Sequence, residues 1–194
     1  MIAADLSCRR DTLRVSAELQ AEFGGVDILL NNAAFYQEQT PIISTTDHEW
    51  AGILNTNLRA PFILSRELLP GMLRRRYGWI VNILSATNEV EGQGPYRISK
   101  IGLEILTAAL AAEIDCEKVA AIGVNPGWMR TEMSASGRSP KGAARAIMEL
   151  VTLAPRRLNG RVIDLVWAGN THRPRHRPRN VGLFGAPSCE DRTA

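Results

Sequence analysis

Three short apolar runs, each leading into polar or small residues, constrain what this chain can fold into. Val26-Asp27-Ile28-Leu29-Leu30 runs into Asn31-Asn32-Ala33-Ala34, and Trp79-Ile80-Val81-Asn82-Ile83-Leu84 ends on Ser85. Val119 to Val124 runs into Asn125-Pro126-Gly127-Trp128-Met129-Arg130-Thr131. Apolar runs of about four to eight residues, bounded by turn signals, read as strands buried on both faces. Stretches of helical periodicity separate them, and that alternation is the pattern of a parallel sheet covered by helices on both sides. In such sheets ligands gather outside the carboxyl ends of the strands, so the polar residues closing each run stand where chemistry would be.

The helices have their own signals. A helix over 11–23 ends at Gly24-Gly25, a helix C-cap. Thr46-Asp47-His48-Glu49 has the layout of a capping box and opens a helix with Trp50, Ile53 and Leu54 on its apolar side. Pro61 is expected to kink that helix or end a segment of it, and its continuation finishes in Arg74-Arg75-Arg76, charges that suit a helix C-terminus. Helix 96–114 carries Ile98, Ile101, Ile105 and Leu106, and Ser139-Pro140 opens a further helix to about Leu153. Arg161 to Trp167 is the last expected strand.

At the head of helix 96–114, Tyr96 is followed four residues later by Lys100. That spacing is about one helical turn, so the two side chains rise from one face. A phenol holds its proton until pH about 10, and a nearby ammonium favours the phenolate, which is the tuning a general acid/base near neutrality needs. A Tyr–Lys pair at this spacing is common by chance. Its weight comes from Ser85, which closes the strand just before it.

The motif set resembles the short-chain dehydrogenase/reductase family over about residues 2–166. Asn31 to Ala33 is similar to that family's Asn-Asn-Ala motif, with Ala34 where glycine is more usual, and Ser85, Tyr96 and Lys100 fall on its catalytic residues. Pro126, Gly127 and Thr131 fall on its Pro-Gly motif and the threonine that follows. Asn57, with Asn55 as a nearby competitor, falls on its catalytic asparagine. The resemblance implies a Rossmann-like doubly wound parallel α/β sheet and hydride transfer between NAD or NADP and a carbonyl/alcohol pair. It implies Tyr96 as proton donor and Lys100 as the group that depresses the Tyr96 pKa and holds the nicotinamide ribose. Ser85 would hold the substrate oxygen, and Asn57 would anchor a water linking Lys100 to solvent. Asp5, Asn32 and Ala33 would line the adenosine side, Met129 and Thr131 the nicotinamide side, and Thr87 and Gln93 the substrate mouth. A homo-oligomer formed through helices 47–76 and 96–114 is also implied.

One part of the pattern is missing. The family opens with a strand, a glycine-rich turn and a helix whose amides hold the cofactor pyrophosphate. Here Met1-Ile2-Ala3-Ala4-Asp5-Leu6-Ser7 resembles the family's third strand and its aspartate, so the sheet is expected to be N-terminally truncated by two strands and their helices. In the order 3-2-1-4-5-6 that loss strips residues 1–7 of a neighbour and leaves the strand at 26–30 as an uncovered apolar edge. The residue that discriminates NAD from NADP would lie in the missing part. A non-catalytic chain acting through subunit contacts is therefore the competing expectation.

Composition closes off other classes. With 194 residues and 45% hydrophobic residues the chain can bury one core, and no apolar run reaches membrane-spanning length. The start lacks the layout of a signal peptide. Cys8, Cys116 and Cys189 match neither a disulfide framework nor a metal spacing, and His48, His172 and His176 have no companion ligands. A cytoplasmic setting is expected. Residues 1–168 are expected to form the domain. Residues 169–194, rich in Arg and Pro at 171–179, are expected to be a solvated, disordered basic tail rather than a nucleic-acid contact.

Overall fold

The computed structural model describes residues 1–36, 40–85, 93–131, 137–167 and 174–180, the last segment through its backbone. Helix α1 (Arg9–Phe23) leads to β1 (Ile28–Asn31). A 3-10 turn (Ile42–Ser44) precedes α2 (Asp47–Leu54), a π-helical turn (Asn55–Arg59) and α3 (Ala60–Arg75). Then come β2 (Gly78–Ile83), α4 (Gly94–Glu113) and β3 (Val119–Asn125). Helices α5 (Pro140–Leu150) and α6 (Pro155–Leu158), strand β4 (Arg161–Trp167) and strand β5 (Pro174–Asn180) complete the order.

The sheet runs β1-β2-β3-β4-β5, parallel from β1 to β4, with β5 antiparallel at the far edge. Both faces are covered. Trp79, Val81, Ile83, Ala120, Ile122 and Val124 pack beneath Ala143, Ala146 and Leu150 of α5. On the other face Leu29, Ile80, Val119 and Ala121 meet Leu64, Leu68 and Met72 of α3 and Leu110 of α4. Alternate residues of β2 and β3 serve opposite cores, which is why these strands are apolar throughout. This is the expected doubly wound arrangement.

Local chemistry sets the element ends. Gly24 takes the left-handed conformation (φ 69°) that caps α1. Thr46 and Glu49 form the reciprocal capping box of α2. The chain passes Pro61 without breaking: a π turn absorbs the misfit, and Pro61 follows it as the second residue of α3. Gly127 (φ 78°) turns the chain out of β3, its N–H donating to Asn125 Oδ1 at 3.1 Å.

Two expectations meet the structure at the sheet edges. Residues 1–5 form no strand and lead through a turn into α1, because no strand lies beside them to pair with. Beyond β2 lies β1 as an open edge, with Ile28 and Leu30 exposed (41% and 46%) while Leu29 is buried. Ile28 and Leu30 pair with Trp79 and Val81, so they share the face over which α5 covers β2 to β4. The second expectation needs correction: 174–180, read as disordered tail, is strand β5, paired along the whole of β4. Pro174 and Pro178 are four apart, so both missing N–H groups fall on one side of the strand, and an edge strand accepts proline on the side away from its partner. Among the described residues no helix is long and apolar enough to cross a membrane, and no cluster of His, Cys, Asp or Glu could hold a metal.

Gly123, at the middle of β3, has no room for a side chain: a Cβ there would lie 2.6 Å from Leu84 Cδ1 and 3.2 Å from Val162 Cγ2. Gly123→Ala should destabilise the fold by about 1–3 kcal/mol, read as a lowered urea midpoint. An unchanged midpoint would show that Leu84 yields freely.

Candidate active site

The register brings three strand ends to one side of the sheet. Asn31 of β1 lies beside Asn82 of β2, and Ile83 of β2 beside Val124 of β3, so Asn32, Ser85 and Asn125 leave the sheet along one rim. A buried polar chain ties that rim together. Asn31 Nδ2 donates to Asn82 Oδ1 (2.8 Å), Asn82 Nδ2 to Thr107 Oγ1 (2.9 Å), and Thr107 Oγ1 to the Leu103 carbonyl (2.8 Å). Asn31 is thereby a brace between β1, β2 and α4, while Asn32 and Ala33 beyond it are exposed.

Helix α4 presents Tyr96 and Lys100 towards the end of β2. The Ser85 side chain neighbours the Tyr96 phenol. Lys100 is 4% exposed, its Nζ donating to the Ile83 carbonyl at 2.8 Å and lying 5.7 Å from the centroid of the Tyr96 ring. Burial pushes the Lys100 ammonium down to about pH 8. The Tyr96 phenol is displaced upward from its ordinary value, chiefly by burial. Ser85 pulls it back down, and the phenol of Tyr36 adds to the rise. The expected lowering of the Tyr96 pKa by Lys100 is therefore not the outcome here: desolvation dominates, and Lys100 is not among the causes that move the phenol.

Asn57 is fully buried in the π turn and clasps two other segments. Its Oδ1 accepts from the Phe35 N–H (2.7 Å), and its Nδ2 donates to the Phe35 carbonyl (2.9 Å) and to Ser99 Oγ (3.0 Å). Ser99 Oγ in turn donates to the Tyr96 carbonyl at 2.6 Å. Both amino hydrogens of the side chain are spent, and its oxygen has taken one of the two hydrogen bonds it can accept. Its backbone carbonyl is different: the α-helical donor four residues on would be Pro61, which has no N–H.

Two residues here escaped the sequence reading. Ser99 sits inside the Tyr96–Lys100 run, and a helical serine bonding back to a carbonyl of the preceding turn was the available signal. Tyr36 lies in the loop after β1, where no periodicity marks it. Its ring meets the Tyr96 ring edge-on (centroids 5.3 Å apart, planes at 85°), and its hydroxyl accepts from Gln93 Nε2 at 3.1 Å. Gln93 thus belongs to the cluster. Thr87 lies outside the described residues.

The remaining candidates stand further off. Asp5 is exposed, and the Ser7 side chain together with the Ser7 N–H, which donates to Asp5 Oδ1 at 2.8 Å, holds its carboxyl below the usual range. That turn is fastened to the π turn by Arg59, which donates to the Ser7 carbonyl at 2.8 Å. Met129 packs against the α5-side core and its backbone bridges to Arg138, with Thr131 two residues further on.

Comparison with known proteins accords with this geometry. A family model described as short chain dehydrogenase matches residues 1–142. The chain is 36% identical over 115 residues to the 3-oxoacyl-acyl-carrier-protein reductase FabG of Vibrio cholerae, covering 58% of this chain and 47% of the relative. It is 32% identical over 136 residues to the acetoacetyl-CoA reductase of Allochromatium vinosum, covering 69% and 55%. Among solved structures, a metagenomic short-chain oxidoreductase in complex with NADP matches at 31% identity and TM-score 0.70, over 79% of this chain and 68% of that one. The chain spans about half the length of these curated relatives.

The lowered Lys100 pKa has a sign that can be tested. Its folded value of about 8 lies below the ordinary lysine value of 10.5, so between these limits the unfolded chain binds the extra proton and stability rises with pH. Below pH 8 the buried ammonium costs stability in full. Lys100→Met removes this dependence. The stability of the parent relative to Lys100→Met, from urea unfolding at pH 7 and pH 10, should rise by a few kcal/mol at most, since a tenfold change in proton affinity corresponds to about 1.4 kcal/mol. A flat or falling difference contradicts the assignment.

Proposed function

The chain belongs to the short chain dehydrogenase family, and from that premise we propose that it carries the catalytic half of an NAD(P)-dependent oxidoreductase interconverting a carbonyl and an alcohol. The observation that supports this best is the meeting of Ser85 and Tyr96 beside a buried Lys100. The set suits a nicotinamide ribose: Lys100 Nζ spends one donor on the Ile83 carbonyl, and an ammonium has two more for a vicinal diol. Met129 and Thr131 after β3 would hold the nicotinamide side, and Asn32 and Ala33 after β1 the adenosine side. Asp5, in its exposed turn, would reach the adenosine only at its outer end. No glycine-rich turn to cradle a pyrophosphate stands among the described residues, so the phosphates need amides from elsewhere.

When bound, the nicotinamide cofactor supplies the hydride. The chain's own groups handle orientation and the proton. Ser85 and the Tyr96 phenol converge on one point, where a substrate oxygen can accept from both as charge develops on it. Tyr96 is the donor of the proton. A phenol displaced upward by burial is held fully protonated at neutral pH, which suits it to giving a proton up in the direction of carbonyl reduction. Lys100 refills the phenol's proton, and a pKa of about 8 lets it exchange protons near neutrality. The Asn57 carbonyl, deprived of its helical donor by Pro61, is the natural anchor for a water leading from Lys100 outward. Gln93 would border the substrate side. The 3-oxoacyl and acetoacetyl relatives favour a small or thioester-linked carbonyl compound as the substrate class.

Subunit contact through helices 47–76 and 96–114 is part of this reading. Phe62 on α3 and Ile98 and Ile101 on α4 are exposed, with 38–44% of their surface open. They supply the apolar patch that a second copy would bury.

Tyr96→Phe removes the proton donor with almost no change of volume. In a chain extended N-terminally by a glycine-rich strand–turn–helix unit, carbonyl reduction followed by cofactor absorbance should fall about 100- to 10,000-fold. Undiminished reduction by the variant would refute the role.

A further inference from the structure

Tyr36 has no part in the functional reading so far, yet four observations converge on it. Its ring stands edge-on to the Tyr96 ring at 5.3 Å, an arrangement in which the positive rim of one ring meets the negative face of the other. Its hydroxyl accepts from Gln93 Nε2, the residue that precedes α4. The residue before it, Phe35, has both its N–H and its carbonyl gripped by the buried Asn57. Asn57 also grips Ser99, whose hydroxyl donates to the Tyr96 carbonyl. Asn57 therefore reaches Tyr96 by two routes, one through Ser99 to the backbone and one through Phe35 and Tyr36 to the ring.

We propose that Tyr36 is a positioning residue of this site, pinning the Tyr96 phenol from the side and governing when it releases its proton. The inference rests on the oxidoreductase reading for its purpose, though not for its geometry. A phenol that donates to a substrate oxygen must keep one orientation, and the ring of Tyr96 can turn about two side-chain torsions. Ser85 stands at the hydroxyl end. The flank of the ring is held by Tyr36, itself fixed at its hydroxyl by Gln93 and at its backbone by Asn57. Tyr36 is also a second ionisable phenol. Like charges repel, so Tyr36 raises the cost of charging Tyr96. Among the described residues the ionisable and polar groups facing Tyr96 are Lys100 from its own helix, Ser85 from the end of β2 and Tyr36 from the loop after β1. Of these, Tyr36 can be altered without removing a group from the proposed proton path.

The chain holds three tyrosines, Tyr36, Tyr77 and Tyr96, so each phenol can be followed by NMR on tyrosine labelled with carbon-13 at Cζ and assigned by single Phe replacements. Tyr36→Phe keeps a ring against Tyr96 and removes the second ionisation. The Tyr96 signal should then titrate lower than in the parent. Gln93→Ala leaves both rings and removes the donor that holds the Tyr36 oxygen, so the flank of Tyr96 loosens and the Tyr96 signal should again titrate lower than in the parent. An unmoved Tyr96 midpoint in Tyr36→Phe overturns the proposal. If that variant does not fold, an unmoved Tyr96 midpoint in Gln93→Ala overturns it instead. Because the titration needs no turnover, its failure is distinct from failure of the oxidoreductase reading, which would appear as absent carbonyl reduction in the N-terminally extended chain while the phenols remain coupled.

Discussion

The clasp made by Asn57 is the constraint on which the rest of the site depends. One buried amide ties the loop after β1, the π turn and the first turn of α4, and it uses its oxygen and both amino hydrogens to do so. A satisfied buried hydrogen bond contributes about 0.5–1.5 kcal/mol, while an orphaned partner costs about 1–3 kcal/mol. Every small shift of one segment would thus break a bond belonging to another. The π turn is what makes the clasp geometrically possible, since an inserted residue turns Asn57 inward where a regular α-helix would have presented a different side chain. Pro61, four residues on, is both the reason a regular helix is unfavourable there and the reason the Asn57 carbonyl lacks its helical donor.

Burial then decides the electrostatics. Lys100 and Tyr96 are driven in opposite directions by the same cause, because desolvation disfavours the charged form of each. The ammonium comes down to about 8 and the phenol goes up, so both are mostly in the protonated form at pH 7 and the lysine is close to exchange. A protonated Tyr96, with Ser85 near its oxygen and Tyr36 at its flank, fits the proposed role of proton donor. The sheet supplies rigidity beneath it: the Asn31–Asn82–Thr107 chain stitches β1, β2 and α4 in the layer directly under the site.

Much of this was legible in the residues. Strands β2 and β3 declared themselves because both of their faces are buried, which leaves an uninterrupted apolar run. The α2 capping box and the α1 glycine cap are local chemistry and were readable as such, as was the open edge at β1. Ser85, Tyr96 and Lys100 were found through a spacing and a strand end. Strand β5 was hidden because its Arg- and Pro-rich composition mimics a solvated tail; its pairing comes from the open edge of β4, and the register sets Arg177 opposite Asp164. The upward displacement of the Tyr96 pKa was missed because spacing reports proximity to Lys100 and says nothing of burial. Tyr36 was invisible for a third reason: its role arises from where a loop is clamped, and the clamp lies 22 residues away in sequence.

The most direct test of the Asn57 clasp is amide hydrogen exchange on Asn57→Ala, compared residue by residue with the parent. The Phe35 N–H should lose its protection, and the amides of 96–100 should exchange faster, while the centres of β2 and β3 stay protected. Unchanged protection at Phe35 and at the start of α4 would mean that the site is held by something other than Asn57.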